Sequence, residues 1–264
     1  MKIEQIRNAT IRIEYAGKNF LVDPWLADKD TLGSFNDIKA FQVPDPTKAS
    51  IKMPMCDLPK SAEEILAGID IYLLTHLHPD HFDIDLATGT GGRFLDKNVP
   101  IFVQNEEEAS FMKGSGFQHI SVLSEDSLSI GQIKITKTPA LHGTEKPCGP
   151  SCGLILQSSG EKTLYIAGDT IWYPEVKKTL ETYQPDIIIL NTCAAELLEF
   201  GRLIMDDNDI YEVYKTCPNT TIIASHMDTV SHATLNRETL QQKLTEKRIA
   251  ENILIPADGE SYQF

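Results

Sequence analysis

Long hydrophobic runs are missing from this sequence, although 41% of its 264 residues are hydrophobic and can form a substantial core without disulfides. No apolar stretch approaches the length that a membrane span requires. The first ten residues, MKIEQIRNAT, lack the hydrophobic segment of a signal peptide. We therefore expect a cytoplasmic protein with no membrane partner.

Basic charge and paired cysteines are also scarce. The chain has 24 Lys and Arg against 38 Asp and Glu, which gives a formal net charge of −14. An acidic surface repels phosphate backbones and the lysines are scattered, so we expect no nucleic-acid partner. The 5 cysteines form an odd, irregularly spaced set. Such a set favours reduced thiols over a disulfide framework.

Strand patterns dominate the first two thirds of the chain, and helices alternate with strands afterwards. ATIRIEYAGKNFLVDP is typical of a β-hairpin that turns at Gly17. Helices are predicted at NEEEASFMK, YPEVKKTLETY, DNDIYEVYKTC and NRETLQQKLTEKR. The acids of NEEEAS suit the positive end of a helix dipole and need no further role. The pattern predicts a mixed α/β domain over residues 1–264.

Residues 25–60 interrupt this alternation. The segment is rich in Pro and Asp and has weak periodicity, which predicts a long loop or insertion, partly ordered by short helices. Loops of this length in compact domains are usually functional. We therefore consider it a candidate lid or specificity loop. A surface insertion or a contact in a homo-oligomer is an equal alternative.

The stretch LLTHLHPDHFD, residues 73–83, places several potential metal ligands directly after a short apolar strand. A His-x-His turn at a strand end projects its two imidazoles to the same side of the chain, and imidazole suits Zn and related ions. His76 and His78 form this pair, and Asp80 and His81 follow one turn later. This spacing is specific enough to predict one side of a metal site.

Further ligands are expected from other strand ends. His142 lies in KTPALHG, Asp169 ends TLYIAGDT, and His226 ends TTIIASH. A lone His at a strand end is more often structural than a ligand. Together with the 76–81 motif, however, these residues complete a set of five His and two Asp.

This ordered set resembles the metallo-β-lactamase-fold hydrolase superfamily over nearly the whole chain. The flanking sequences ATIRIEYAGKNFLVDPWL, GDTIWYPEV and ASHMDTV are similar to the branch that contains L-ascorbate-phosphate lactonase. The resemblance implies an αββα sandwich of four layers. It also implies that Asp23, in FLVDP, supports the metal site from behind the ligands.

The resemblance further implies two neighbouring divalent ions. The first would be held by His76, His78 and His142, the second by Asp80, His81 and His226, with Asp169 between them. A water shared by two cations loses its proton near neutral pH, and the resulting metal-bound hydroxide attacks a carbonyl or phosphorus. Asp80 is our candidate for a catalytic proton shuttle. A single ion remains an alternative. Nitrogen and oxygen ligands admit several metals, with zinc as the default and manganese as the runner-up.

The predicted activity is metal-dependent hydrolysis of a small-molecule substrate: an ester, a lactone such as that of a sugar acid, or a phosphate-containing metabolite. A phosphodiesterase with the same dinuclear site is the main alternative. A redox di-iron protein is a second, although such relatives place a glutamate where this chain has His78. A binding module without activity is a third.

Three residues are weaker candidates for substrate binding. His232, in TVSHATLNRET, follows His226 by six residues and could face the cleft or lie in a polar loop. Trp172 comes soon after Asp169 and could form a pocket wall or pack in the core. Asn191 ends the strand DIIILN and could face the site or cap a loop.

Overall fold

The computed structural model describes residues 1–39, 41–85 and 87–264. The described residues form strands at β1 Lys2–Arg7, β2 Thr10–Tyr15, β3 Lys18–Val22, β4 Ile71–Leu73, β5 Ile84–Asp85, β6 Thr90–Gly91, β7 Ile101–Val103, β8 Ile120–Val122, β9 Leu128–Ile130, β10 Ile133–Pro139, β11 Cys152–Gln157, β12 Leu164–Ile166, β13 Ile187–Asn191, β14 Glu196–Leu197, β15 Gly201–Arg202, β16 Thr221–Ser225, β17 Ile253–Leu254 and β18 Ser261–Gln263.

Helices in the described residues are α1 Phe35–Ile38, α2 Ala62–Leu66, α3 Glu106–Gly114, α4 Pro174–Tyr183, α5 Asp207–Thr216 and α6 Arg237–Glu246. Short 3-10 turns occur at Pro46–Lys48 and Ala250–Asn252. The helices predicted from sequence correspond to α3 to α6. Each helix in this part of the chain is too short or too polar to cross a membrane.

Two seven-stranded sheets form the framework. The first has the order β18-β1-β2-β3-β4-β7-β8, and the second has the order β17-β16-β13-β12-β11-β10-β9. In the first sheet β3, β4, β7 and β8 are parallel, and in the second β12, β13, β16 and β17 are parallel. The remaining pairs in both sheets are antiparallel, including the predicted β2–β3 hairpin.

Three apolar clusters define four layers. Ile13 and Phe20 of the first sheet meet Ile135 and Leu154 of the second in a cluster between the sheets. On the outer face of the first sheet a second cluster includes Ile65 of α2 and Met112 of α3. On the outer face of the second sheet a third cluster includes Leu180, Val213 and Leu240 of α4 to α6. The order helix, sheet, sheet, helix is the four-layer sandwich that the resemblance implied.

Strand β13 shows why these sheets need helices on one side and a sheet on the other. Its five residues IIILN are all buried. Ile187 and Ile189 point into the cluster between the sheets, whereas Ile188 and Leu190 pack towards the helices. Successive side chains of a strand face opposite sides, so a continuous apolar run predicts burial on both faces.

The 25–60 segment, apart from residue 40, is irregular except for the short helix α1 and one 3-10 turn. Buried Arg7 of β1 holds both ends of the segment, because its guanidinium donates hydrogen bonds to the carbonyls of Ala27 and Cys56 at 2.7 and 3.0 Å. Leu198 N–H donates to the carbonyl of Gln42 at 2.9 Å. The segment is thus attached to the first sheet through Arg7 and to the chain that follows β13 of the second sheet through Leu198.

Candidate metal centre

The predicted ligands meet where strands of both sheets end. His76, His78, Asp80 and His81 follow β4, and His142 follows β10. Asp169 follows β12, and His226 follows β16. Parallel strands end at a common edge, which is where open α/β sheets place their sites. The fold therefore gathers residues that are up to 150 positions apart in sequence, as between His76 and His226.

Possible ligand atoms within each of three groups lie no more than 4.8 Å apart: His76, His78 and His142; His76, His81 and Asp169; and Asp80, His81 and His226. The first and third groups are the two ligand sets that the resemblance implied. Nδ1 of His78 lies 3.0 Å from Nε2 of His76 and 3.3 Å from Nε2 of His142. In the third group, Nε2 of His226 lies 3.3 Å from both Asp80 Oδ2 and His81 Nε2.

Asp169 lies between the two groups. Its Oδ2 is 3.3 Å from Nε2 of His81 and 3.6 Å from Nε2 of His142. Asn191 fixes the other oxygen, since its Nδ2 donates a hydrogen bond of 2.6 Å to Asp169 Oδ1. Asn191 therefore orients the central carboxylate, and it is not among the described residues that line the adjacent cavity.

Groups behind the imidazoles decide which ring nitrogens face the cluster. His81 Nδ1 donates to Asp23 Oδ2 at 2.9 Å, and His142 Nδ1 donates to the carbonyl of Leu203 at 3.0 Å. With their Nδ1 protons assigned by these acceptors, the Nε2 atoms face the cluster, where each can hold either a proton or a metal ion. Asp23 also accepts Thr75 N–H at 2.7 Å, so it holds the loop start as well as the ring.

This donor set fits divalent ions. Several imidazole nitrogens converge at distances of 3.0–3.3 Å, too close for lone pairs to face each other without a cation or a proton between them. Carboxylate and imidazole are the ligands that zinc and related ions take. His76, His78 and His142 would hold one ion, Asp80, His81 and His226 a second, and Asp169 would contact both.

Burial and neighbouring charges shift the pKa values in opposite directions. Burial lowers the pKa of His78 to about 4 and that of His76 well below its usual value. Burial also opposes a charge on His81, but Asp169 and Asp23 raise its pKa to about 10. Likewise, burial disfavours ionised Asp169, yet His81 and His226 hold its pKa well below the usual range. The cluster is thus electrostatically suited to cations.

Tight turns bring some ligands into place. Gly168 has φ of 65°, and a Cβ there would lie 2.3 Å from the carbonyl oxygen of Cys152. Only glycine fits this close approach, which precedes Asp169. Gly143, directly after His142, is equally restricted, because a Cβ would lie 2.2 Å from the carbonyl oxygen of Lys146.

A cavity of about 150 Å³ opens beside the cluster. Its lining includes five of the ligands, His232 and Cys148, and otherwise apolar side chains. Five of the apolar residues come from the 25–60 segment: Leu32, Phe35, Ile38, Phe41 and Met53. No Lys or Arg is among the described residues of this lining.

The weaker sequence candidates occupy different places. His232 lines the cavity, its ring meets Phe35 edge to face at 5.3 Å, and its buried Nδ1 has no hydrogen-bond partner among the described residues. Trp172 packs against the core cluster beneath α4 to α6, and its backbone N–H donates to Asp209 at 3.1 Å. Trp172 is not part of the described cavity lining.

Sequence reasoning missed several supporting residues. Asn8 Nδ2 donates to the backbone carbonyl of Asp80 at 2.9 Å and lies 3.1 Å from His226 Nε2. Glu108 accepts the Leu77 N–H at 2.9 Å. The acidic run NEEEAS was expected to suit the helix dipole without a further role, but Glu108 is only 4% exposed and binds the ligand loop. In the sequence, Glu108 is recognisable only as a carboxylate four residues after Gln104, which directly follows β7. Its hydrogen bond from the Leu77 N–H is visible only in the folded structure.

The fold and the ligand set together define the protein as a metal-dependent hydrolase of the metallo-β-lactamase fold. The model of the beta-lactamase superfamily domain matches residues 18–227. The chain belongs to this superfamily.

Full-length relatives support this assignment. The chain is 44% identical to the UPF0173 protein YddR of Bacillus subtilis (strain 168), over 100% of both chains. The crystal structure of an isothiocyanate hydrolase from Delia radicum gut bacteria has a TM-score of 0.90 and 37% identity, covering 100% of this chain and 99% of the other. A possible metal-dependent hydrolase from Veillonella parvula has a TM-score of 0.89 and 32% identity, with the same coverage.

Proposed function

We propose that the protein hydrolyses small, uncharged, largely apolar electrophiles, and that isothiocyanates are the substrate class that fits best. The observation that carries this proposal is the apolar cavity beside the metal cluster, without a Lys or Arg in its described lining. The similar whole-chain structure of an isothiocyanate hydrolase supports the same class.

Charge argues against the anionic substrates considered from the sequence. A phosphodiester or a phosphorylated sugar-acid lactone brings a negative charge. Ions in the cluster would balance a charge bound directly to them, but the described lining has no Lys or Arg to bind a phosphate group away from the metals. The side chains that 25–60 contributes to the lining are all apolar. A volume of about 150 Å³ accommodates a benzene-sized group, so an alkyl or aryl substituent of that size matches the space. Uncharged lactones and esters remain alternatives within the proposal, and the lactonase branch remains a prediction.

The proposed reaction converts R–N=C=S and water into R–NH2 and O=C=S. The water oxygen forms a bond to the central carbon, the carbon–nitrogen bond breaks, and both water protons end on the nitrogen. Divalent ions bound by the cluster would supply Lewis acidity, which lowers the pKa of water and polarises the electrophile.

The protein's own groups position the reactants and move protons. Apolar side chains from 25–60 hold the substituent R and exclude water from it. Asp80 lines the cavity, and we keep it as the group that takes a proton from the attacking water. His232 is the remaining nitrogen-bearing side chain of the described lining, so its ring can bind the nitrogen or sulfur of the substrate.

A substrate comparison tests the proposal. The zinc- or manganese-loaded protein is assayed with allyl and benzyl isothiocyanate, an uncharged lactone and bis(p-nitrophenyl) phosphate. We expect kcat/KM for the isothiocyanates to exceed that for the phosphodiester by at least about 100-fold, because the apolar lining away from the metal ligands fits a small uncharged substituent and offers the bulky diester no polar contacts. The His76→Ala variant is the control for background hydrolysis. A higher kcat/KM for the phosphodiester would overturn the proposal in favour of the phosphodiesterase alternative.

A further inference from the structure

A buried carboxylate lies beneath the loop that carries the first two metal ligands. Glu108 is in the first turn of α3 and is 4% exposed. Its Oε1 accepts the backbone N–H of Leu77 at 2.9 Å. Leu77 is the residue between His76 and His78, so this hydrogen bond fixes the backbone from which both rings project.

Gln104 extends the connection to a second loop. It follows β7, the parallel neighbour of β4, and its Nε2 donates to Glu108 Oε1 at 2.8 Å and to the Pro150 carbonyl at 2.9 Å. Pro150 follows Gly149, whose added Cβ would lie 3.4 Å from His78 Nε2. The Glu108–Gln104 pair thus holds the loops on two sides of His78.

The position of the His78 ring depends more on its backbone than the ring positions of the other histidine ligands do. The rings of His76, His81, His142 and His226 each have a ring nitrogen that contacts a group outside the ligand set: Thr75, Asp23, the Leu203 carbonyl and Cys193, respectively. The Nε2 of His78 has no such partner in the part of the chain that the structure describes. His78 is also only partly buried, whereas His76 and His142 are buried. Its position is therefore set mainly by the loop that Glu108 holds.

The contacts of Glu108 explain why a carboxylate is placed here. Burial raises its pKa, although the hydrogen bonds from Gln104 and Leu77 oppose that shift. Among the described residues, its hydrogen-bond partners are amide N–H groups of Gln104 and Leu77. A buried carboxylate costs desolvation free energy, and several donated hydrogen bonds offset part of this cost. The same hydrogen bonds give the loop one backbone position.

We propose that Glu108 and Gln104 are a positioning pair that fixes His78 and so sets the metal affinity of the His76, His78 and His142 group. The pair does not contact the Asp80, His81 and His226 group through hydrogen bonds in the described structure. Its removal therefore weakens one ion site and leaves the other. This inference rests on the metal-dependent class alone and is independent of the substrate.

Metal titration of Glu108→Gln tests the pair. The variant keeps the side-chain shape, but its NH2 would oppose the Gln104 backbone N–H that donates to Oε2 at 3.3 Å. Its neutral carbonyl is also a weaker acceptor than the carboxylate for the Leu77 N–H and the Gln104 side chain, which both donate to Oε1. Zinc affinity is measured by competition with a chromophoric chelator, and His78→Ala and His226→Ala identify which ion is lost from each group. We expect Glu108→Gln to bind the ion that His78→Ala loses about 10- to 100-fold more weakly, as for other groups that support metal ligands.

Glu107→Gln is the matched control, because Glu107 is exposed in the same helical turn. We expect it to bind both ions as the unsubstituted protein does. Unchanged affinities in Glu108→Gln, or an equal loss at both ion sites, would overturn the proposal. The readout is metal binding, so its outcome is separate from that of the substrate comparison.

Gln104→Leu provides a second test if Glu108→Gln does not fold. It removes the hydrogen bond to the Pro150 carbonyl and leaves the Glu108–Leu77 hydrogen bond. We expect a smaller but selective loss of affinity for the same ion, with circular dichroism showing an intact fold. A folded Gln104→Leu protein with both affinities unchanged would contradict the role of the pair.

Discussion

Two residues beside the metal centre that are not glycine have backbone conformations that are costly in free energy. Asp23 has φ of 44° and His226 has φ of 65°, so both lie in the left-handed region although neither is glycine. Such conformations cost about 1–3 kcal/mol each and persist where the surroundings hold them. Asp23 is held by hydrogen bonds from Thr75 and His81, and His226 N–H donates to the carbonyl of Asn8. The strain directs both side chains towards the cluster.

His232 provides the residue-scale prediction. His232→Ala removes the nitrogen that we assign to the substrate's polar end, so we expect kcat/KM for benzyl isothiocyanate to fall about 100- to 1,000-fold, the range for loss of one donor at a developing charge. The decrease should appear mainly in kcat, and metal content should not change. Steady-state kinetics and elemental analysis measure both quantities.

His119→Ala is the control for this substitution, because His119 is exposed and outside the cavity lining. His232→Gln keeps a side-chain donor and should recover part of the lost kcat. An unchanged kcat/KM in His232→Ala would exclude the proposed contact.

At the scale of elements, the carboxyl ends of strands determine the chemistry. The connections after β4, β10, β12 and β16 carry the ligands. Asp23 directly follows β3 and holds His81, and Asn191 ends β13 and holds Asp169. The 25–60 segment has a different role: it covers the ligands with apolar side chains from α1 and its flanks. The 25–60 segment therefore supplies apolar lining and no ligand, whereas the connection after β16 supplies both the ligand His226 and the lining residue His232.

This division predicts that the 25–60 segment controls substrate size. Ile38→Ala removes apolar contact with the substituent R and enlarges the cavity. We expect a loss of about 1–3 kcal/mol in binding small isothiocyanates, seen as a higher KM, and relatively better use of bulkier ones. Kinetics with a series of alkyl and aryl isothiocyanates measure this change.

Ile51→Ala is the matched control, because Ile51 belongs to the same segment, is 39% exposed and does not line the cavity. Its kinetics should equal those of the unsubstituted protein. If Ile38→Ala, and a partial deletion of the segment, leave the kinetics unaltered across the series, the segment is not a lid or specificity loop.

At the scale of the whole molecule, the metal centre joins the two sheets. The ligands after β4 belong to the first sheet, and those after β10, β12 and β16 belong to the second. Ions bound between them connect both halves of the sandwich. Ligands that bind only the folded state stabilise it by mass action.

Metal removal should therefore lower the melting temperature. An ion present at 100 times its Kd stabilises by about 2.7 kcal/mol, which corresponds to roughly 5–10 °C for a domain of this size. Calorimetry with and without a chelator measures the shift. The chelator should have a much smaller effect on His76→Ala, and an equal effect on both proteins would indicate that the stabilising ion binds elsewhere.

Several features of the site could be predicted from local sequence. The spacing of His76, His78, Asp80 and His81 after a strand is a short-range pattern, and strand-end positions identified His142, Asp169 and His226 as candidates. The β2–β3 hairpin and α3 to α6 follow from periodicity and caps, such as Pro174 at the first turn of α4. The four-layer sandwich came from family resemblance, because periodicity alone indicates only mixed α and β structure.

The sequence by itself thus determined the ligand types and their order, since metal chemistry requires those side chains at strand ends. Only the tertiary structure decided which residues that are distant in sequence support the ligands and line the cavity. It buries Glu108 beneath Leu77, turns Asn191 towards Asp169 and covers the cluster with Phe35 and Ile38. These contacts depend on how strands and helices pack side by side, and packing distances do not follow from sequence spacing.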